Sequence, residues 1–142
     1  MHKPLIFILF SIASVAVQAF PAPAGEWEWP HTISWHDKTS NSTDSVKGKE
    51  NICISQKSSA DYPQSQADSL KAENCNISDF QSNENKASFK ASCETMSFDA
   101  QYEKLSDNEI KFTQTIHSRK GKSYTASGVM HHKNSNTAAC VE

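Results

Sequence analysis

Residues 87–132 read ASFKASCETMSFDAQYEKLSDNEIKFTQTIHSRKGKSYTASGVMHH. Apolar and polar residues alternate through four successive runs. Ala87, Phe89, Ala91 and Cys93 are separated by Ser88, Lys90 and Ser92, and Met96, Phe98, Ala100 and Tyr102 by Ser97, Asp99 and Gln101. Ile110, Phe112 and Ile116 share the third parity, which Gln114 interrupts. Tyr124, Ala126, Gly128 and Met130 make the fourth, with Val129 the one apolar residue on its polar side. Successive side chains of a strand point to opposite faces, so each run has one apolar and one polar face. Four such runs in a row predict an antiparallel sheet with one side packed and one side wet. The connections fall at Glu94-Thr95, Ser106–Asn108 and Lys120-Gly121-Lys122, where Gly121 can take the positive φ of a tight hairpin.

Upstream of this block the same alternation is legible in Gly25–Trp35, where Trp27, Trp29, Ile33 and Trp35 share a parity. Pro30 has no amide proton, which predicts an edge strand or a bulge. The tryptophans are open to two readings, a stacking platform or core bulk, and their common face favours core. His36–Asn51 is polar and is expected to be a surface loop leading to a short strand over Glu50–Ser55. Pro63–Ala72 (PQSQADSLKA) predicts one short helix, with Pro63 in a first turn that does not need its amide proton. Cys75–Phe80 predicts a strand, and Ser82–Lys86 its turn. Lys133–Ala139 is a polar tail before Cys140. The expected fold is mainly β: an antiparallel curved meander or small barrel-like sheet with one short helix, stapled by disulfides.

The N-terminus predicts a targeting segment. His2 and Lys3 precede an apolar run from Leu5 to Val17, and Val17-Gln18-Ala19 places small residues where a signal peptidase reads them. The expected organisation is therefore a signal peptide over residues 1–19, cleaved after Ala19, and a single β-rich domain over 20–142. The run is short for a membrane span, which takes roughly 20 apolar residues, and no transmembrane segment is expected in the mature chain. Localisation is expected to be periplasmic or secreted. Losing the single charge of Lys3 takes the formal net charge from -2 to -3. That value argues against a nucleic-acid partner held by a basic surface.

Only 37% of the residues are hydrophobic, so the core is thin and cross-links are expected to help it. Cys53, Cys75, Cys93 and Cys140 supply an even number of thiols, which admit three pairings. The expected pairs are Cys53–Cys75, closing a loop around the helix, and Cys93–Cys140, tying down the tail. A zinc site would call for a close Cys-x-x-Cys spacing, which the chain lacks. His131 and His132 are adjacent and point to opposite faces of a strand, while His31, His36 and His117 are dispersed, so no metal site is expected. No Gly-x-Ser-x-Gly elbow or phosphate-binding glycine loop is present. No cofactor and no enzymatic activity are expected.

The order of these parts resembles a known group. Gly25-Glu26-Trp27-Glu28 after a leader, Ile52-Cys53-Ile54-Ser55, the Cys75–Cys93 unit (CNISDFQSNENKASFKASC) and a closing Cys140 are similar to the small exported bacterial proteins grouped as family 3617 of the domains of unknown function. The resemblance covers nearly all of the mature chain. It departs in Ala24-Gly25 for the usual Pro-Gly, in hairpins poorer in glycine, and in Met-rich strands reduced to Met96 and Met130. It implies a periplasmic location and a disulfide-stapled β domain, and it implies no reaction.

The expected function is a non-enzymatic, exported binding or envelope-associated module, with a periplasmic or secreted protein as the partner class. One alternative is an inhibitor of a secreted hydrolase such as lysozyme, for which the basic loop with His117, Arg119, Lys120 and Lys122 would plug an acidic cleft. Another is a carrier of an apolar ligand or metal, which would need space behind Trp27, Trp35, Phe89, Phe98 and Phe112.

Overall fold

A computed structural model describes residues 17–37, 40–118 and 120–141. The four alternating runs are strands β4 (Lys86–Ser92), β5 (Met96–Ser106), β6 (Glu109–Ser118) and β7 (Ser123–Asn134), each hairpin-paired with the next. Ahead of them come β1 (Gly25–Asp37), β2 (Ser42–Ile54), α1 (Gln56–Ser59), α2 (Tyr62–Ala72) and β3 (Asn76–Ser82). The seven strands form one open antiparallel sheet in the order β2-β1-β7-β6-β5-β4-β3. Of the two expected sheet forms, this is the meander and not a closed barrel. The first hairpin is added to the end of the meander, so β1 lies between β2 and β7.

That order puts β2 and β3 at opposite edges, and the residues joining them must cross the whole face. Six inter-strand steps of about 4.8 Å would make roughly 29 Å on a flat sheet. The two helices make this crossing and roof one face. The structure has two helices where one is expected: α1 is a single turn started by Ser55, whose Oγ accepts the Ser58 amide at 3.1 Å. The expected helix is present as α2, with Asp61 as its N-cap and Pro63 in its first turn.

The apolar parity of β1 and of β4 to β7 faces the side of the sheet that carries the helices. Trp27, Trp29, Phe89, Ala91, Ala100, Tyr102, Ile110 and Met130 are buried together with Phe20, Ile54, Tyr62 and Ala67. Trp29, Phe112, Tyr102 and Phe89 form a chain of ring contacts 4.9, 4.8 and 6.3 Å apart across four strands. The opposite parity is polar and carries cross-strand pairs such as Thr113–Ser127 at 3.0 Å. It also carries Glu28 between Lys49 at 2.5 Å and Lys133 at 3.5 Å. The hydrogen bond from Lys49 holds the Glu28 carboxyl below its usual range, with the charge of Lys133 adding to it.

Three expectations are corrected. First, residues 42–50 are not a loop: they belong to β2, a 13-residue edge strand paired with β1 from end to end. STDSVKGKE carries no apolar parity because both its faces are largely wet. Second, of the edge strand or bulge expected from Pro30, the edge strand is corrected: β1 is an interior strand, and it does carry a bulge. Pairing with β7 stops after Glu28 and resumes at Thr32, and the bulge lies at Glu26/Trp27, not at the proline. Within the gap Gly128 lets the chains close: a Cβ there would lie 2.0 Å from the Pro30 oxygen. The Gly128 carbonyl accepts the Trp29 indole N–H at 3.1 Å instead.

Third, the disulfides are Cys53–Cys140 and Cys75–Cys93, not Cys53–Cys75 and Cys93–Cys140. In the β3–β4 register Asn76 faces Ser92, so the next residues out, Cys75 and Cys93, stand opposite each other with Cα atoms 4.3 Å apart. Cys53 pairs with Glu26, whose other neighbour is Asn134. The tail leaving Asn134 therefore has only the end of β1 to cross before Cys140 reaches Cys53. All four cysteines are oxidised.

Candidate functional site

The helices do not roof the sheet evenly. α2 packs on β3 and β4, and the part of the same face that belongs to β5, β6, β7 and β1 lies further from it. Here a cross-strand row of apolar side chains is only half-buried: Trp35 faces Tyr124, Tyr124 faces Ile116, and Ile116 faces Phe98. The Trp35 and Tyr124 rings are 6.2 Å apart. At the α2 end of this row is a cavity of about 210 Å³. Its floor is Phe89, Phe98, Ala100, Tyr102 and Phe112, and its roof is Leu70 with the polar Gln66, Ser69 and Glu73 of α2.

Gln114 lines the same cavity. It is the residue that breaks the apolar parity of β6. A polar side chain in a core row marks a place where the core is not sealed, since an amide buried without partners costs about 1–3 kcal/mol. The cavity is smaller than the roughly 300–1,000 Å³ of sites that engulf a drug-sized molecule. It is larger than the cavity of about 150 Å³ that holds a benzene ring. It therefore suits one ring or one short branched chain presented by something larger.

Of the residues singled out in the sequence, Trp27 and Trp35 have different fates. Trp27 is fully buried and its indole N–H donates to the Pro23 carbonyl at 2.9 Å. Trp35 keeps part of its ring in the open row. They lie at opposite ends of β1, so the structure does not bring them together. Phe89, Phe98 and Phe112 do converge, on the cavity.

The basic loop lies at the far end of β6 and β7, with Lys120 and Lys122 exposed and open space around Gly121 at φ +78°. Arg119 lies outside the described residues, as do residues 1–16 of the expected signal peptide. His117 is on the wet face, with its Nε2 3.3 Å from Asp99 Oδ2 and its Nδ1 2.9 Å from Ser123 Oγ. The Asp–His–Ser order is that of a hydrolytic triad, but such a triad works in a water-excluded site with donors aimed at the developing oxyanion. The side chains of His117 and Asp99 are 45% and 39% exposed, so the group is a cross-strand polar cluster in water.

Of the other described histidines, His131 and His132 are adjacent in β7 but face opposite sides, and His31 and His36 lie elsewhere along β1. His31 stacks on Trp29 at 4.2 Å, His132 lies against Trp27 at 5.1 Å, and His36 meets Thr43. Among the described residues no three His, Cys, Asp or Glu side chains gather to hold a metal ion, and no helix is long and apolar enough to cross a membrane.

A larger, more open concavity of about 1090 Å³ lies beside Val17, Gln18 and the β3–β4 turn. Its sheet wall includes Lys86, Gln101, Glu103 and Lys111, charges of both signs. A family model described as "Protein of unknown function (DUF3617)" matches residues 21–140. No curated protein and no solved structure matches the chain.

Proposed function

The chain belongs to the DUF3617 family, whose description assigns no activity, and from this fold we propose that it is an exported, non-enzymatic binding module for a protein partner. The partner inserts one aromatic or branched apolar side chain into the cavity between α2 and the sheet, and lies along the half-buried row Phe98–Ile116–Tyr124–Trp35. The observation that carries this reading is the incomplete roof: the apolar face is sealed where Ile110 and Met130 are fully buried and only half-buried at the Ile116–Tyr124 end of β6 and β7, with a ring-sized hollow beside α2. Such an arrangement, a pocket beside half-buried aromatic side chains, is the anatomy of an interface anchor.

Export is supported by the leader pattern at residues 1–19 and by two disulfides, which persist in oxidising compartments. Removal of residues 1–19 would also take Val17 and Gln18 from the wall of the larger concavity. The smaller cavity keeps all its lining residues in the mature chain.

The test is capture from periplasmic extract with the oxidised mature protein and with Ala100→Leu, which puts extra bulk into the floor of the cavity. The expected result is one stoichiometric protein partner on the wild type and none on the variant. Equal capture by both would refute the site. Capture abolished only when Lys120 and Lys122 are neutralised would favour the hydrolase-inhibitor reading. A co-purified lipid or metal in place of a protein would favour a carrier.

A further inference from the structure

Exposure along the N-terminal segment first drops at the Ala19–Phe20 bond. Val17, Gln18 and Ala19 are exposed, and Phe20 is 0% exposed. This is the bond that the Val17-Gln18-Ala19 pattern marks for cleavage. From Phe20 onward the chain is fastened to the roof. The Phe20 amide nitrogen lies 3.3 Å from Asp61 Oδ1, and the Phe20 carbonyl accepts the Tyr62 amide at 3.0 Å. Ala22 donates to the Ser59 carbonyl at 2.9 Å and accepts from Ser59 Oγ at 2.5 Å. The Phe20 ring packs 6.2 Å from Tyr102, with Lys104 Nζ 4.9 Å from its centroid.

We propose that hydrolysis of the Ala19–Phe20 bond creates an α-ammonium that pairs with Asp61 and fastens the finished N-terminus to the start of α2. The inference rests on the export reading. In the step, a signal peptidase adds the hydroxyl of water to the Ala19 carbonyl carbon and a proton to the Phe20 nitrogen, and the freed amine takes a second proton from solvent. An amide with one hydrogen and no charge becomes an ammonium with three hydrogens and a full charge, 3.3 Å from a carboxylate oxygen. Hydrogen bonds between charged partners are shorter and stronger than neutral ones. Asp61 is also the N-cap of α2, accepting the Gln64 amide. Processing thus strengthens a contact that holds the roof of the candidate binding cavity, and the processed form is the better-ordered one.

Asn caps a helix about as well as Asp, so Asp61→Asn removes the charge and keeps the cap. Oxidised chains beginning at Phe20 and at Ala19, each with and without Asp61→Asn, are released from a cleavable fusion and unfolded in urea. In the chain beginning at Phe20 the substitution is expected to lower the folding equilibrium constant about tenfold, a charged hydrogen bond discounted for partial exposure. In the chain beginning at Ala19, whose amine is displaced by one residue, the loss is expected to be about threefold or less. Equal losses in both chains would overturn the proposal.

A second readout needs no variant of the start site. Acylation of the Phe20 α-amine by an amine-reactive ester, followed by peptide mass analysis, is expected to be several-fold slower in the wild type than in Asp61→Asn, and equal rates would overturn it. Intact mass of protein recovered from an exporting host separates the two levels. Retention of residues 1–19 would overturn the export reading itself, whereas cleavage at another bond would overturn only this proposal.

Discussion

Removing the two disulfides one at a time gives a quantitative contrast. Cys53–Cys140 closes a loop with a sequence separation of 87, and Cys75–Cys93 one of 18. If a cross-link acts by restricting the unfolded chain, the cost of removal grows with the logarithm of loop length. For these loops that amounts to about 4.6 kcal/mol for Cys53–Cys140 and about 3.2 kcal/mol for Cys75–Cys93. The difference, about 1.4 kcal/mol, is tenfold in the folding equilibrium constant. A domain with a thin core has roughly 5–15 kcal/mol in total, so the first loss removes a large part of it. The assay is urea unfolding of the wild type, Cys53→Ser/Cys140→Ser and Cys75→Ser/Cys93→Ser, compared as free energies extrapolated to water. The slope is expected to rise in both variants, because an uncross-linked denatured chain exposes more surface. A loss at Cys75/Cys93 equal to or larger than that at Cys53/Cys140 would refute the reasoning.

Other outcomes follow from single positions. Gly25→Ala is expected to lower the free energy of unfolding by about 2 kcal/mol or more, the cost of a severe backbone clash. Gly25 has φ +131°, and a Cβ there would lie 1.9 Å from the Asn134 oxygen. Phe89→Ala, at the buried β4 end of the ring chain, should cost about 3–5 kcal/mol in the same assay. Burial raises the phenol of Tyr62, with the charge of Glu50 adding to it, and burial likewise raises that of Tyr102. A raised folded-state pKa gives stability that is complete below the unfolded value of about 10 and is lost as pH rises above it. Stability is therefore expected to fall on the alkaline side of about pH 10, and Tyr62→Phe/Tyr102→Phe should flatten that fall in a pH series of urea midpoints. An unchanged alkaline slope in the double variant would contradict the assignment.

What the sequence disclosed follows from where each segment meets water. β4 to β7 have one buried and one wet face, so their period of two is written in the residues. β2 has little burial on either side until Ile52–Ile54, and nothing in Ser42–Glu50 separates it from a loop. Pro30 misled because its missing proton is harmless where Gly128 interrupts the ladder, a relation between residues far apart in the chain. Spacing could not choose the disulfides, but register could have: a Cys-led strand and a Cys-ended strand in one hairpin place Cys75 opposite Cys93. The partner of Cys53 depends on β1 lying beside β7, which no local pattern encodes. The candidate site left one trace, Gln114 in an apolar row. Its other wall belongs to α2, whose weak apolar stripe gave no sign of which strands it would leave uncovered.

The most direct test of the binding account is a titration of the isotopically labelled, oxidised chain of residues 20–142 with N-acetyl-phenylalanine amide, a neutral probe, followed by two-dimensional NMR. The account predicts shifts at Leu70, Phe98, Ala100, Phe112 and Gln114, and their disappearance in Ala100→Leu. Shifts confined to the Lys120–Lys122 loop, or a response in Ala100→Leu equal to that of the wild type, would contradict it.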